Sequence, residues 1–356
     1  MKRGASGHSL VIGLDKAQGH SSHSALGHVK RELGEGRVGH CGTLDPFATG
    51  VLVALVGPAT SLSNYIVNDR KMYEAEITFG RSTTTDDVCG PTLELADSVP
   101  VSLDETAARQ ALSMFEGDIM QRPPAFSALK LNGKRAYEEA RKGKPVEIAP
   151  RPVTVHRAEL LSIDEVEDEG RAVPRWRVAF DVSKGTYVRA LARDLGESLG
   201  SAAHLSSLRR TSSGAVSLDM CVAEDSDAGV LLSSLLDPVE LLGLKLAFVD
   251  GAIAERVSNG GAIGVEDVEL FKMIAGTGTD VCMCTSRLVP LSLSSEEDEV
   301  SRSAHGTGGV LSDGELVSLV TPSGLKAIYR YEAPRGRLVA DRVFQLEVKR
   351  GPDDIV

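Results

Sequence analysis

The segment from Gly39 to Gly50 constrains the fold more than any other part of the chain. It reads Gly-His-Cys-Gly-Thr-Leu-Asp-Pro-Phe-Ala-Thr-Gly, and its one acidic side chain, Asp45, stands between a leucine and a proline. Pro46 fixes its own φ and disfavours helical backbone at Asp45, while the glycines permit conformations that other residues avoid. The segment therefore predicts a rigid loop presenting one carboxylate. By itself it fits either a catalytic acid or an Asp-Pro turn whose carboxylate binds nearby backbone N–H groups.

Further motifs occur along the chain, before and after this loop. They are Gly13–Ser22, Lys71–Tyr73, Gln121–Lys130, Gly133–Tyr137, Ser183–Arg189 and His204–Thr211. Together with the Asp45 loop they resemble, in sequence and in order, the motifs of the TruB-type tRNA pseudouridine synthases, a family related to the dyskerin-like RNA-guided enzymes. Several motifs in one order are more specific than any single motif.

The resemblance implies an isomerase that converts the T-loop uridine of tRNA, conventionally uridine 55, to pseudouridine. The reaction breaks the N1–C1′ glycosidic bond, turns the base and rejoins it through C5. It needs a carboxylate, an acceptor for the C5 proton and an enclosed pocket. By resemblance Asp45 is the catalytic group, and attack at C1′, addition at C6 and removal of the 2′ proton all remain open as its route. Neither a metal nor a cofactor is implied.

The resemblance also assigns substrate-binding roles. Arg189 is implied to pair with Asp45, and a guanidinium there would favour the ionised carboxylate. A tyrosine in a strand usually belongs to the core, but Tyr73 matches the residue that stacks on the target base.

Other family positions surround these. His40 resembles the residue that packs into the site left by the flipped uridine, and Leu208 and Lys16 resemble pocket-wall or structural positions. At two positions the sequence departs from the family, because Cys41 replaces a usual threonine and Ala17 a usual proline.

Charge is distributed unevenly along the chain. The net charge is −11, yet residues 221–315 hold seventeen Asp/Glu against five Lys/Arg, whereas residues 122–157 hold nine Lys/Arg against three Glu. RNA affinity depends on local neutralisation of phosphates, so the basic stretch is the candidate contact. It resembles the family's RNA-gripping insertion, about residues 121–152, and the implied RNA contacts are Lys130, Lys134, Arg141 and Lys144. A solvated surface stretch is the alternative.

The pattern of apolar residues predicts an α+β fold. Residues 10–14, 71–79 and 176–182 read as strands, and residues 22–33, 102–116 and 186–199 as helices. The predicted N-caps are Ser22 or Ser24, Ser102 or Asp104, and Thr186. The resemblance implies a pseudouridine synthase fold over residues 1–245, with a mixed, mainly antiparallel central sheet flanked by helices.

Residues 246–356 resemble a small PUA-like C-terminal β-barrel. Three strands are predicted, at about 315–320, 325–331 and 338–346. Before them, an acidic, Ser- and Gly-rich stretch at about 290–310 has the composition of a mobile linker.

Several classes of protein and site are disfavoured. The five cysteines are scattered and match neither a disulfide framework nor a zinc pattern, no apolar run is long enough to span a bilayer, and a cytoplasmic enzyme is expected. The stretch Gly34–Gly39 formally fits G-x-G-x-x-G, but it follows a predicted helix and leads into a loop, so a phosphate cradle is not expected.

The expected partner is the T-arm of tRNA, bound by a monomer without an obligate protein partner. Two other functions remain open: an RNA-folding chaperone without catalysis, and a dyskerin-like subunit guided by RNA. A protein that only binds RNA needs no buried acid, which favours the enzyme.

Overall fold

A computed structural model of the chain describes residues 7–66, 70–96, 104–127, 129–131, 134–136, 148–274, 287–291 and 311–355. The predicted acidic linker at about 290–310 lies outside the described residues except at its first two positions, and much of the predicted RNA-gripping insertion also lies outside them.

A ten-stranded sheet forms the first part of the fold. Its strands are β1 Leu10–Lys16, β2 Val38–Cys41, β3 Thr49–Val56, β4 Arg70–Phe79, β7 Gly117–Gln121, β10 Arg151–Asp168, β11 Arg171–Ser183, β12 Ala203–Ser213, β13 Val216–Ser217 and β14 Val222–Ala223. The main order is β14-β1-β3-β12-β4-β11-β10-β7, with β2 on β3 and β13 on β12. Only the β1–β14 and β3–β12 pairs are parallel. The predicted mixed, mainly antiparallel sheet is confirmed.

Two short two-stranded pairs in the described residues are separate from this sheet. They consist of β5 Arg81–Thr83 with β6 Thr92–Leu95, and β8 Lys130–Leu131 with β9 Lys134–Arg135. The second pair falls within the predicted RNA-gripping insertion.

Among the described residues, five α-helices accompany the first sheet. They are α1 Ser22–Glu32, α2 Glu105–Ser113, α3 Val188–Ser198, α4 Ala228–Ser233 and α5 Pro238–Leu242. The existence of the first three was predicted, and Asp104 caps α2 as one of the two candidates.

Two predicted N-caps are wrong by one residue or more. Ser21, not Ser22 or Ser24, caps α1, and its hydroxyl accepts a bond from the backbone N–H of Ser24 at 3.0 Å. Tyr187, not Thr186, precedes α3, and its side chain does not cap the helix. The Gln121 amide of β7 instead bonds to both backbone groups of Tyr187, a contact between distant segments that local sequence does not reveal.

A second, curled half-barrel sheet forms the C-terminal part. Its strands are β15 Lys245–Phe248, β16 Ile263–Gly264, β17 Leu270–Ile274, β18 Arg287–Leu291, β19 Leu316–Thr321, β20 Gly324–Glu332 and β21 Arg337–Val348, with α6 Gly251–Ser258 packed against it. The order is β16-β21-β20-β19-β15-β17-β18. The three predicted strands are confirmed as β19, β20 and β21, and the four others complete the sheet.

The two sheets share one hydrophobic cluster. Val11, Val53 and Leu55 of the first sheet belong to the same buried cluster as Ile328 and Phe344 of the second. Polar contacts reinforce it, since the Tyr65 hydroxyl donates to Asp341 at 2.5 Å and the Lys349 N–H donates to the Ser9 carbonyl at 3.0 Å. The C-terminal sheet is therefore packed against the strands that carry the Asp45 loop.

Candidate active site

The Asp45 loop connects β2 to β3 and is tied to the start of α1. The Ser22 hydroxyl accepts a bond from the Leu44 N–H at 2.8 Å and donates to the Leu44 carbonyl at 3.0 Å. One side chain thus holds both backbone groups of the residue before Asp45. The strand after the loop starts at Thr49, so both ends of the loop are anchored in regular structure.

Lys16 holds the other side of the loop. It is completely buried, and its ammonium donates to the carbonyls of Ala17 at 2.8 Å, His20 at 2.7 Å and Pro46 at 3.4 Å. Burial lowers the pKa of Lys16, and the nearby carboxylate of Glu224 opposes that shift. The structure thus gives Lys16 a structural role, one of the two that the sequence implied. Ala17 contributes a backbone carbonyl, a group that a proline would also supply.

Arg210 supports the first half of the loop. Its buried guanidinium donates to the carbonyls of Val51 at 2.7 Å, Thr43 at 3.2 Å and Gly42 at 3.2 Å. Gly50 has φ of +102°, and a Cβ there would lie 2.2 Å from the Arg210 carbonyl oxygen, so only glycine fits. None of these contacts involves the side chain of Cys41, so the substitution at that position leaves the loop anchored.

Asp45 and Arg189 meet at this loop, although 144 positions separate them in the chain. Nη2 of Arg189 donates to Oδ1 of Asp45 at 3.1 Å, and Nε lies 2.9 Å from Oδ2 at ion-pair distance. The Arg189 side chain is 4% exposed, whereas that of Asp45 is 34% exposed. The guanidinium is thus enclosed and fixed, while the carboxylate remains reachable by a substrate.

Burial raises the pKa of Asp45 above that of an ordinary aspartate. Arg189 opposes this rise and the neighbouring Asp87 adds to it. Arg189 therefore lowers the pKa of Asp45, as the sequence implied, but the rise caused by burial is larger than this effect.

Asp87 is a site residue that the sequence reasoning missed. It is buried, its Oδ2 lies 3.4 Å from Nη1 of Arg189, and its Oδ1 accepts bonds from the Thr85 hydroxyl at 2.7 Å and the Cys89 N–H at 3.0 Å. Arg189 also donates to the Thr85 carbonyl at 2.8 Å. Arg189 thus faces two carboxylates. The available signal was the run of threonines and aspartates at residues 83–87, directly after a strand.

Gln121 positions the helix that carries Arg189. Its buried amide accepts from the Tyr187 N–H at 2.8 Å and donates to the Tyr187 carbonyl at 3.1 Å. Arg189 in turn donates to the Phe126 carbonyl at 3.1 Å. The motif that begins at Gln121 therefore connects the candidate RNA-gripping insertion directly to the Asp45 site.

A cavity of about 250 Å³ opens at Asp45. Its walls are formed by Thr43, Leu44, Asp45, Lys71, Tyr73, Ser127, Gly185, Thr186, Tyr187, Val188, Arg189 and Leu208. The structure thus brings four of the predicted site residues together around one space: Asp45, Tyr73, Arg189 and Leu208. The cavity combines one accessible carboxylate with apolar and aromatic walls.

His40 does not line this cavity. It lies on β2 opposite Ala54 of β3, and its buried Nδ1 has no hydrogen-bond partner among the described residues. Burial lowers the pKa of His40, and Arg210 acts in the same direction. An uncharged, half-buried imidazole therefore stands on the strand that leads into the Asp45 loop.

The predicted RNA contacts are only partly described. Lys130 and Lys134 lie on the paired strands β8 and β9, for which the backbone is described. Arg141 and Lys144 lie outside the described residues.

A larger cavity, of about 380 Å³, lies at the second sheet. Asp250, Asp267, Glu269 and Arg350 supply its charged groups, and Arg350 is already paired with Asp237 at 2.6 Å. None of the sequence motifs reaches this cavity, so the cavity at Asp45 is the candidate active site.

Two further observations concern the part of the chain that the structure describes. No helix there is long and apolar enough to cross a membrane. His20 pairs with Glu224, and Nε2 of His28 lies 2.9 Å from the Ser226 carbonyl oxygen, so these two histidines have protein partners.

Family models match most of the first part of the chain. The TruB family pseudouridylate synthase N-terminal domain matches residues 30–188, and the tRNA pseudouridylate synthase B C-terminal domain matches residues 189–242. The boundary between the two matches falls at Arg189.

Several relatives carry the name tRNA pseudouridine synthase B. The protein from Arthrobacter sp. (strain FB24) is 46% identical over 59% of this chain and 67% of its own length. The protein from Bacillus licheniformis is 40% identical over 71% of this chain and 82% of its own length. The protein from Streptococcus thermophilus (strain CNRZ 1066) is 42% identical over 73% of this chain and 89% of its own length.

Solved structures share the fold at lower identity. A chain of a Cbf5-Nop10-Gar1 complex superposes with a TM-score of 0.58 and 23% identity, covering 95% of this chain and 85% of that one. A chain of an H/ACA RNP bound to a substrate RNA containing 2′-deoxyuridine gives a TM-score of 0.56 and 21% identity, covering 95% and 85%. At this identity the likeness concerns the fold alone.

Proposed function

This chain belongs to the TruB family and is a tRNA pseudouridine synthase, an isomerase, and we propose that it converts the T-loop uridine 55 of tRNA to pseudouridine with Asp45 as the catalytic group. The observation that carries the proposal is the Asp45–Arg189 pair at the wall of a cavity that also holds Tyr73 and Leu208.

A uridine inside a folded RNA reaches such a cavity only by leaving its stack. In the cavity Asp45 presents a carboxylate whose orientation is fixed by Arg189 on one side and by the anchored loop on the other. The ring of Tyr73 supplies a face for the base, and Leu208 supplies an apolar wall. Enclosure holds the detached uracil near the sugar until C5 replaces N1 in the glycosidic bond.

His40 and the basic insertion act on the RNA outside the cavity. His40 stands on the strand before the Asp45 loop, where an uncharged imidazole can fill the space that the flipped uridine leaves. Lys130, Lys134, Arg141 and Lys144 contact phosphates of the T-arm. The relatives at 40–46% identity are named as tRNA enzymes, which favours tRNA over a guided RNA target.

The enzyme acts as a monomer in the cytoplasm without an obligate protein partner. The scattered cysteines of the sequence support the cytoplasmic location alone.

The deciding experiment maps the product on RNA. The purified full chain is incubated with an unmodified tRNA transcript, and pseudouridine is located by chemical labelling and primer extension. A single stop at the T-loop position is expected, with none on a transcript that carries cytidine there. A stop elsewhere, or no stop although the RNA is bound, would exclude this function.

Arg189→Lys should lower kcat by roughly 10–100-fold with a smaller change in KM. Lysine keeps the charge but cannot hold Asp45, Asp87 and the Thr85 carbonyl at once, so the carboxylate loses its fixed orientation. Steady-state kinetics on a T-arm stem-loop measure the effect.

The matched control is Arg193→Lys. Arg193 lies one helical turn after Arg189 and pairs with Asp86 outside the cavity. Equal losses in the two variants would show that the helix, not the contact with Asp45, determines the effect.

Replacing Lys130, Lys134, Arg141 and Lys144 together with alanine should weaken tRNA binding and flatten its salt dependence. Each lost phosphate contact is expected to remove about one unit from the slope of log K against log salt. Filter binding over a range of salt concentrations measures the slope. The control replaces four basic residues of the C-terminal part, namely Arg256 of α6, Lys272 of β17, Lys326 of β20 and Arg335 of the turn between β20 and β21. An unchanged slope in the first variant would mean that the insertion is only a solvated surface.

A further inference from the structure

Lys71 is the one cavity residue whose charge the site leaves unused. It lies on β4 two positions before Tyr73, and its side chain forms part of the wall around Asp45. Its ammonium makes no hydrogen bond and no ion pair with any residue in the described ranges. A half-buried ammonium without a partner is unfavourable, because it loses water and gains nothing in return.

The charged neighbours of Lys71 are themselves cations. Arg210 of β12 and Lys184 of the turn after β11 repel it, and burial together with these two groups lowers the pKa of Lys71 to about 8. The Cys41 thiol opposes this shift, but burial raises the pKa of that thiol to about 11, so it carries no charge near neutral pH. The carboxylate of Asp45 lines the same cavity, but it is paired with Arg189.

The Asp45 loop passes close to this ammonium at Gly42. Gly42 has φ of +87°, and a Cβ there would lie 3.4 Å from Nζ of Lys71. That distance is ordinary van der Waals contact, so it is the positive φ that favours glycine at residue 42. The Lys71 ammonium thus lies in a cavity wall near two other cations and has no partner of its own among the described residues, an arrangement that favours an anion.

We propose that the Lys71 ammonium binds a phosphodiester next to the target uridine when that nucleotide enters the cavity. This inference rests on the proposed function, because it takes the cavity to be the place of the flipped nucleotide. A nucleotide within RNA brings a phosphate on each side of its sugar, and an ammonium receives such a group as a point charge. Lys71 is then a substrate-binding residue that fixes the sugar against Asp45.

The contact would make RNA binding depend on pH. In the free enzyme Lys71 loses its proton near pH 8, whereas a bound phosphate favours the ammonium and raises its pKa. Binding is therefore tightest below pH 8 and weakens above it, by up to roughly tenfold per pH unit until the pKa of the complex is reached.

Binding is measured with the full chain in an Asp45→Asn background, so that the RNA is not converted during the experiment. Fluorescence anisotropy of a T-arm stem-loop gives Kd over a salt series at pH 7, and at low salt from pH 7 to 9. The variants are Lys71→Met, Lys71→Gln and Lys71→Arg, and the control is Lys326→Met, a lysine of β20 paired with Glu347. Thermal melts establish that each variant is folded, and the glutamine variant replaces the methionine variant if the latter is not.

Lys71→Met is expected to weaken binding at pH 7 about tenfold and to lower the salt slope by about 0.7–0.9, the value for one phosphate. Binding by the wild-type side chain should weaken between pH 7 and 9. Binding by Lys71→Met, which has no charge, and by Lys71→Arg, which stays charged, should not show this weakening. A methylphosphonate on the 5′ or on the 3′ side of the target uridine then identifies the linkage. At the linkage that Lys71 contacts, the uncharged methylphosphonate should weaken RNA binding by the enzyme that retains Lys71. The same methylphosphonate should not weaken binding by Lys71→Met any further, because that variant has already lost the contact.

Unchanged affinity and slope in Lys71→Met would overturn the proposal. A fall in single-turnover rate without a change in binding, measured with Asp45 present, would also overturn it and assign Lys71 to proton transfer instead. Failure of the proposed function is a separate result. It would appear as an absence of pseudouridine after incubation with the wild-type protein, whereas the phosphate contact is measured by binding alone.

Discussion

Asp45→Asn should abolish pseudouridine formation and leave tRNA affinity nearly unchanged. The amide keeps the shape of the side chain and can still contact Arg189, but it has neither the charge nor the basicity that every open route of the reaction requires. Single-turnover conversion of a T-arm stem-loop, with product detected by chemical labelling, measures the loss. Turnover within about tenfold of wild type, a barrier change of only ~1.4 kcal/mol, would remove Asp45 from the mechanism.

Asp86→Asn is the matched control for this experiment. Asp86 is also an aspartate near the site, its carboxylate pairs with Arg193 at 3.0 Å, and it lies outside the cavity walls. Its φ of +58° is one that asparagine tolerates well, so the substitution adds no backbone strain. Retained turnover in Asp86→Asn beside lost turnover in Asp45→Asn would separate the reacting carboxylate from general changes in local charge.

Local pattern was sufficient to predict the elements that position the site. The alternation in residues 71–79 indicated a strand with Tyr73 on its buried face, and β4 has that form. The helix predicted over residues 186–199, with Thr186 as its N-cap, placed Arg189 in the first turn, and α3 carries it there although the N-cap residue is Tyr187. Both elements could be predicted because the spacing of apolar residues indicates which face of a strand or helix is buried.

Contacts between distant segments could not be read in this way. Asp87 is a site residue only because folding brings it to an arginine more than a hundred positions away. Gln121 binds the backbone of Tyr187, the residue before α3, from 66 positions away in the chain. His40 stands beside the Asp45 loop in sequence yet outside the cavity walls, since β2 pairs along β3 rather than turning into the site.

The C-terminal sheet shows the same limit on a larger scale. Its three main strands followed from the sequence, but the parallel pairing of β15 with β19 joins residues about seventy positions apart. The division at residue 245 also suggested that the catalytic part ends before the tail begins. In the structure Lys245 starts a strand of the tail sheet, and the apolar residues of the tail complete a cluster that the first sheet begins.

A fragment of residues 1–245 is expected to lose cooperative folding. Truncation would uncover Val11, Val53 and Leu55, which pack in one cluster with Ile328 and Phe344. Burial of one large apolar side chain contributes about 1.5–3 kcal/mol, and the cluster loses several. A typical domain has only about 5–15 kcal/mol of net stability, so the loss is comparable with the whole. Because β3 carries Val53, Leu55 and the end of the Asp45 loop, activity should be lost together with folding.

Thermal melts followed by near-ultraviolet circular dichroism measure the effect, and single-turnover conversion of a T-arm stem-loop measures its consequence. Two substitutions in the full chain provide the internal comparison: Ile328→Ala in the shared cluster should cost about 2–5 kcal/mol, whereas Leu93→Ala, at a side chain that is 69% exposed, should cost little. A fragment that melts cooperatively near the temperature of the full chain and still converts the stem-loop would show that the tail is an independent domain. Loss of both properties, with Ile328→Ala destabilised and Leu93→Ala unaffected, would show instead that the tail sheet stabilises the strands that hold Asp45 in place.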